Sequence, residues 1–141
     1  MKTRYYWYVT GRSDGTFMHL CRNVILIDVP ESTALEFGKY LLTALDTDFP
    51  AHHPDMCEEV LQNIARLERG EITETGWDGQ GFIHSISPTH VTFEHTIFGE
   101  CPEWPIWSCT LAQYKAALEG WKRFIAMPKN IDTELIVDMP D

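Results

Sequence analysis

Residues 82–86 (Phe-Ile-His-Ser-Ile) and 91–97 (Val-Thr-Phe-Glu-His-Thr-Ile) alternate between two sets of side chains, with a Ser-Pro turn between them. Successive side chains of a β-strand point to opposite faces, so a period of two predicts two strands with one buried face each. Strands joined by short turns pair antiparallel, which favours a meander over alternating β and α units. On either side of these two stretches, residues 72–76 and 106–108 predict further short strands. Trp-Asp-Gly at 77–79 predicts a tight turn.

Three amphipathic stretches outside the meander predict helices. The first begins after Pro30 and carries an apolar stripe at helical spacing. The second has Pro54 in its first turn and Gly70 as its expected end. The third begins at the capping box formed by Thr110 and Gln113 and continues to the next proline.

The remaining segments complete the expected fold. Aromatic and β-branched residues at 5–10, 17–20 and 23–29 predict strands before the first helix, whereas residues 133–139 form either a final strand or a tail. The fold class expected is α+β, with a single antiparallel sheet and about three packed helices. A chain of 141 residues is long enough for a core of its own, so residues 1–141 are expected to form one domain.

Composition restricts the class of protein. With 44% hydrophobic and 23% charged residues, the chain is expected to fold rather than to stay disordered. No segment approaches the run of about 18 apolar residues that a membrane span needs. The first eight residues are too short and too aromatic for a signal-peptide core, so a cytoplasmic protein is expected.

The acidic residues are unevenly distributed. The chain has 21 Asp and Glu against 11 Lys and Arg, a net charge of −10. Between Asp46 and Glu103 there are 12 acids and two bases, which is also −10. A local surplus of one sign repels nucleic acids and anionic membranes and attracts basic partners. The sequence therefore predicts a protein that binds something basic, without nucleic acid or membrane as a partner.

The expected interface consists of acids in this segment and two tryptophans. Trp77 lies in a predicted turn beside Asp78, and Trp104 lies in a predicted loop beside Glu103. Each tryptophan is expected either to anchor a partner or to fold onto the core. The acids of the candidate interface are Asp46, Asp48, Asp55, Glu58, Glu59, Glu71, Glu74, Asp78, Glu100 and Glu103.

Histidines and cysteines raise the alternative of a metal site. His53 and Cys57, four apart on a predicted helix, could share a face, but two ligands leave a structural zinc site two short. The four cysteines form no C-x-x-C pair and are expected to be free thiols, with a Cys101–Cys109 disulfide as the alternative. The sequence thus predicts no metal, no cofactor and no catalytic residues. A small metal-binding enzyme or sensor is the second hypothesis, with His52, His84, His90 and His95 as further ligand candidates.

The stretch Arg-Gly-Glu-Ile-Thr-Glu-Thr-Gly-Trp-Asp-Gly at 69–79, the two alternating strands, and Trp-Ser-Cys-Thr-Leu-Ala-Gln-Tyr at 107–114 form a familiar series. Together with the helix that follows, they resemble small bacterial immunity proteins of contact-dependent growth inhibition and related polymorphic toxin systems. The resemblance implies a monomer or weak dimer that binds a cognate toxin domain, often a nuclease with a basic cleft, and has no enzymatic activity. A third hypothesis is an acidic adaptor subunit.

Overall fold

The computed structural model describes all 141 residues and contains two antiparallel sheets. The first, called the hairpin sheet, has the order β2-β1-β7 and consists of β1 (Lys2–Gly11), β2 (Met18–Ile27) and β7 (Glu134–Asp138). The second, called the meander sheet, has the order β3-β4-β5-β6 and consists of β3 (Thr75–Asp78), β4 (Phe82–Ile86), β5 (His90–His95) and β6 (Trp107–Thr110). The α+β class and the meander are confirmed, but the prediction of a single sheet is wrong.

Three helices accompany the sheets. The first is continuous through α1 (Glu31–Phe37), a π-helical segment (Gly38–Leu42) and α2 (Thr43–Asp48), and it is followed by α3 (Pro54–Glu68) and α4 (Leu111–Ile125). The Thr110 hydroxyl accepts the Gln113 backbone N–H at 3.1 Å, and the Gln113 side chain accepts the Thr110 N–H at 3.0 Å. This confirms the predicted capping box. None of the helices is long and apolar enough to cross a bilayer.

Helix α4 lies between the two sheets and explains why there are two. On one side the Tyr5 hydroxyl of β1 donates to the Ala117 carbonyl of α4 at 2.8 Å. On another side Tyr114 of α4 contacts His84 of β4 at 2.8 Å. Each of these two faces of α4 packs on one sheet, and α3 packs on a third side, where the Cys57 thiol donates to the Leu118 carbonyl at 3.4 Å. The face toward the hairpin sheet contains Ala117, Gly120 and Phe124, and the first two are too small to stand out as part of an apolar stripe in the sequence.

The last strand closes the hairpin sheet beside the first. Residues 134–138 pair antiparallel with the beginning of β1, and the Met139 N–H donates to the Met1 carbonyl at 2.9 Å. Of the two alternatives for residues 133–139, a strand is therefore the one found. The pairing places the two ends of the chain side by side, and the Gln113 side chain at the start of α4 donates to the Pro140 carbonyl at 3.0 Å.

Candidate binding surface

Several acids of the predicted interface are already paired within the molecule. Lys122 of α4 donates to Glu58 of α3, and this contact lowers the pKa of the Glu58 carboxyl. Glu71 accepts from the Arg69 guanidinium at 2.8 Å, which lowers the pKa of the Glu71 carboxyl in the same way. Asp46 pairs with Arg22 of β2 at 3.2 Å. These three acids are thus partly neutralised before any partner arrives.

The other predicted acids, with one exception, are exposed and have no ion pair. Asp55 and Glu59 lie on α3, and Glu74 precedes β3. Of these predicted acids, the ones on the meander sheet and its last connection are Asp78, Glu100 and Glu103; Glu94 of β5, which the sequence did not single out, is also unpaired.

Asp48 is the exception, because its carboxylate lies inside the molecule. The residue is 3% exposed, and Oδ2 lies 2.7 Å from Nε2 of His84. Oδ1 accepts the Gly81 backbone N–H at 2.7 Å and the Thr47 hydroxyl at 3.1 Å. Asp48 therefore contributes nothing to an external acidic surface, and its assignment to the interface is wrong. The residues around it supply the hydrogen bonds that a buried carboxylate requires.

The Asp48 carboxylate holds the turn between β3 and β4. A Cβ added at Gly79 would lie 2.1 Å from Cγ of Asp48, so only glycine leaves room for the carboxylate there. His84 extends the contact to Tyr114, whose pKa burial raises well above its usual value. The Asp48 and His84 side chains have no exposed surface. The network therefore ties the first helix, the turn and α4 together rather than offering groups to a substrate.

Trp77 and Trp104 both fold onto the edge of the core. The Trp77 indole N–H donates to the Asp48 carbonyl at 3.1 Å, and its ring stacks on Phe49 at 5.5 Å between centroids. Trp104 packs against Tyr40 at 5.8 Å and lies under the Lys39 ammonium at 4.5 Å. Each ring is half-buried. Of the two alternatives for these tryptophans, packing onto the core is the one found.

Two of the three most exposed large apolar side chains lie instead in the turn after β5. Ile97 is 79% exposed and Phe98 is 63% exposed. Their backbone N–H groups both donate to Nδ1 of His95 at 3.2 Å, and Gly99 completes the turn with a φ of 60°. The alternating pattern continues through Ile97 in the sequence, which makes this position look like strand. Gly99 is the sequence signal that the strand ends before it.

The outer face of the meander sheet joins this turn to the acids. Strand register places Asp78, Ile83 and Glu94 side by side on three neighbouring strands, and Ile83 is 39% exposed. The Thr96 N–H donates to the Gly81 carbonyl at 3.1 Å, which ties the two turns together. We call this surface the acidic apex, and it consists of Asp78, Ile83, Glu94, Ile97, Phe98, Glu100 and Glu103.

No base belongs to the segment that forms this surface. The chain has no Lys or Arg between Arg69 and Lys115, a stretch that includes the whole meander sheet. The Lys39 ammonium from the first helix donates to the backbone carbonyl of Glu103 rather than to a carboxylate of the apex. The acidic apex therefore combines uncompensated negative charge with exposed apolar side chains.

The residues considered for a metal site do not converge. The chain contains no group of three or more His, Cys, Asp or Glu side chains that could hold a metal ion. The Cys57 thiol is buried and donates to the Leu118 carbonyl at 3.4 Å, and burial raises its pKa to about 12. A protonated, buried thiol is a poor ligand. His53 therefore has no partner in the predicted His–Cys pair.

All four cysteines are free, and their burial predicts unequal reactivity. Burial raises the pKa values of the Cys57 and Cys109 thiols to about 12, whereas Cys101 is half-buried. Roughly one thiol in ten thousand is ionised at about pH 8 when its pKa is about 12. We expect iodoacetamide to label Cys101 in the native protein and to reach Cys57 and Cys109 only after unfolding. Peptide mapping by mass spectrometry measures this, and equal labelling of Cys57 and Cys101 would contradict it.

No family model, curated protein or solved structure matches this chain. The resemblance to immunity proteins therefore stays a prediction from the sequence.

Proposed function

We propose that this protein works by binding a basic protein through the acidic apex, and that its partner is the cognate toxin domain of a bacterial polymorphic toxin system. One observation carries the proposal. The outer face of the meander sheet presents Asp78 and Glu94, and the segment that follows β5 presents exposed Ile97, Phe98 and Glu100, with no Lys or Arg in that part of the chain.

The carboxylates and the exposed apolar side chains of the acidic apex both suit a basic protein partner. Unpaired carboxylates raise the rate of association with a basic surface and repel phosphate-bearing molecules. Exposed apolar side chains supply the desolvated centre that a tight interface needs, and large side chains surrounded by a polar rim dominate binding energy. Ile97 and Phe98 take the anchoring role that the sequence assigned to Trp77 and Trp104.

The narrower identification as a toxin-neutralising immunity protein is supported by the sequence resemblance over residues 69–127. Toxins of this kind are often nucleases with basic clefts for RNA or DNA. An acidic surface that occupies such a cleft uses charges that the toxin must keep in order to bind its substrate. On this proposal the protein acts in the cytoplasm by binding alone and uses no cofactor.

The experiment begins with the coding sequence immediately upstream of the one for this chain. Its C-terminal domain is expressed with and without this protein, and cell growth is measured. We expect growth to stop with that domain alone and to recover with both. An upstream product that neither arrests growth nor binds this chain would overturn the toxin assignment. Binding of a non-toxic basic protein at the same surface would favour the adaptor hypothesis.

The interface is tested by charge reversal in the purified complex. Asp78→Lys with Glu94→Lys should slow association by about 10-fold or more and weaken its salt dependence, because steering charges act mainly on the association rate. Phe98→Ala should instead raise the dissociation rate, because it removes an anchor. Stopped-flow kinetics over a salt series separate the two effects.

A matched control reverses two acids outside the acidic apex. Asp55→Lys with Glu59→Lys changes the net charge by the same amount on α3, where both carboxylates are exposed and unpaired. We expect a smaller change in association rate from this variant. If the α3 variant slowed association more than the variant of the acidic apex, the interface would lie on α3 and this placement would be wrong.

A further inference from the structure

The turn after β5 is held in shape by one nitrogen of His95. The Ile97 and Phe98 N–H groups both donate to Nδ1 of His95 at 3.2 Å, and neither has another acceptor in the chain. The Gly99 N–H donates to the His95 carbonyl at 2.9 Å and closes the turn. The position of the exposed Ile97 and Phe98 side chains therefore depends on a side chain that can take up a proton.

The His95 ring is enclosed by aromatic side chains. Its centroid lies 4.5 Å from that of Trp104, 4.9 Å from that of Phe98 and 5.8 Å from that of Phe82. The residue is half-buried. Because packed rings restrict rotation of the imidazole, Nδ1 stays directed at the two N–H groups of the turn.

The two contacts to Nδ1 require a neutral imidazole. A neutral ring has one nitrogen that donates and one that accepts, so its proton must be on Nε2 of His95. An imidazolium has an N–H on both nitrogens. No orientation of the charged ring then offers an acceptor to the turn, and an Nδ1–H would face two other N–H donors. Protonation of His95 must therefore release the Ile97 and Phe98 N–H groups.

The surroundings of His95 also accommodate the charged ring. Aromatic faces such as those of Trp104 and Phe98 attract a cation, and β4 contributes the uncharged Phe82 ring. The titratable groups on the elements around the ring are one base, three acids, a phenol and a thiol: Lys39, Glu94, Glu100, Glu103, Tyr40 and Cys101. Their acids outnumber their base, which favours an imidazolium. Histidine is the side chain that normally changes its charge between about pH 5 and 8.

We propose that His95 positions the turn while its ring is neutral and releases it when the ring is protonated, so that the acidic apex binds its basic partner tightly at neutral pH and weakly in mild acid. The effect on binding rests on the proposed function, whereas the opening of the turn does not. Carboxylates generally stay ionised above about pH 5, so association should change little. Loss of the positioned Phe98 anchor should instead make dissociation faster.

NMR of the free protein tests the turn without any partner. At about pH 7.5 we expect the ¹⁵N shift of His95 Nδ1 to be that of an unprotonated nitrogen. As the pH falls to about 5.5, the ring and the Ile97 and Phe98 amide resonances should shift together with one midpoint. In His95→Asn the side-chain oxygen can accept the same N–H groups and takes up no proton, so both amide resonances should stay constant. A ring with its proton on Nδ1 at neutral pH, one that stays neutral down to about pH 5, or one that titrates without moving the two amide resonances would overturn the proposal.

Stopped-flow dissociation of the purified complex tests the effect on binding. For the wild-type chain we expect the dissociation rate to rise by about 10-fold between about pH 7.5 and 5.5, because two hydrogen bonds of the turn are lost. His95→Asn should show little of this rise. Because the partner is the same in both measurements, the difference between the two chains reports on His95 and not on groups of the partner.

Two further variants serve as controls. His95→Phe keeps an aromatic ring but has no acceptor, so it should dissociate faster than the wild-type chain at both pH values. His90→Asn removes an exposed imidazole at the other end of β5 and should keep the pH dependence of the wild-type chain. Equal pH dependence in the wild-type and His95→Asn complexes, or an unchanged rate in His95→Phe, would overturn the role of His95. A wild-type chain that binds no basic partner would instead overturn the proposed function, and the NMR titration would still decide the role of His95 in the turn.

Discussion

Replacing Asp48 with Ala should lower the free energy of unfolding by about 3–5 kcal/mol, the cost typical of removing one member of a buried pair. The change leaves the Nε2 side of His84 without its partner at 2.7 Å and the Gly81 N–H without its acceptor at 2.7 Å. The His84 ring is buried, so Nε2 does not recover a hydrogen bond from water, whereas the part-buried Gly81 N–H recovers one only in part. Chemical denaturation monitored by circular dichroism measures the loss.

Two companion variants make this test specific. Asp46→Ala, two residues earlier on the same helix, removes an exposed carboxylate paired only with Arg22 and should change stability by about 1 kcal/mol or less. Asp48→Asn keeps an acceptor for the Gly81 N–H and should recover part of the loss. If Asp48→Ala and Asp46→Ala were equally stable, the buried network would not have the structural role assigned to it.

Replacing Gly120 with Ala should cost about 2–4 kcal/mol, because it adds a methyl group where α4 meets the hairpin sheet and disturbs a buried hydrogen bond. The new Cβ would lie 2.4 Å from the Tyr5 hydroxyl oxygen, which donates to the Ala117 carbonyl. The helix and the sheet would therefore have to move apart. Thermal and urea unfolding measure the cost.

Gly38→Ala serves as the control, since nothing lies within 4 Å of a Cβ at that position. It should stabilise the protein by about 0.5–1 kcal/mol through the helix preference of alanine. Adding Tyr5→Phe to Gly120→Ala removes the nearest clashing atom, so the double variant should lose less than the sum of the two single losses. Additive losses would show that the Tyr5 contact is not the cause.

Elements with a strong local signal were predictable from the sequence. The meander, the capping box at Thr110 and the Gly70 end of α3 depend on neighbouring residues, and the structure contains all of them. The second sheet depends on contacts between distant parts of the chain. The second buried face of α4 contains Phe124 together with Ala117 and Gly120, and the two small residues do not stand out as an apolar stripe in the sequence.

The candidate site, too, was only partly predictable from the sequence. Excess acidity between residues 46 and 103 was visible, but the partners of the acids were not. Lys122 pairs with Glu58 across 64 positions, and Asp48 reaches His84 across 36. Whether a carboxylate is free, paired or buried depends on such distant neighbours. The acids that remain free on the meander sheet, and the exposed Ile97 and Phe98 beside them, could therefore be located only in the folded chain.

The buried residues that hold the turn below the acidic apex are different from the exposed residues that form its surface. The turn that carries Asp78 is held from inside, through the carboxylate of Asp48 and the Gly81 N–H, whereas the exposed Asp78 and Ile97 side chains make no hydrogen bond or ion pair. The Phe98 ring stacks on His95 at 4.9 Å between centroids. Substitutions at such exposed positions typically change stability by no more than about 0.5 kcal/mol. The exposed side chains of the acidic apex can thus be substituted while the scaffold beneath them keeps its stability.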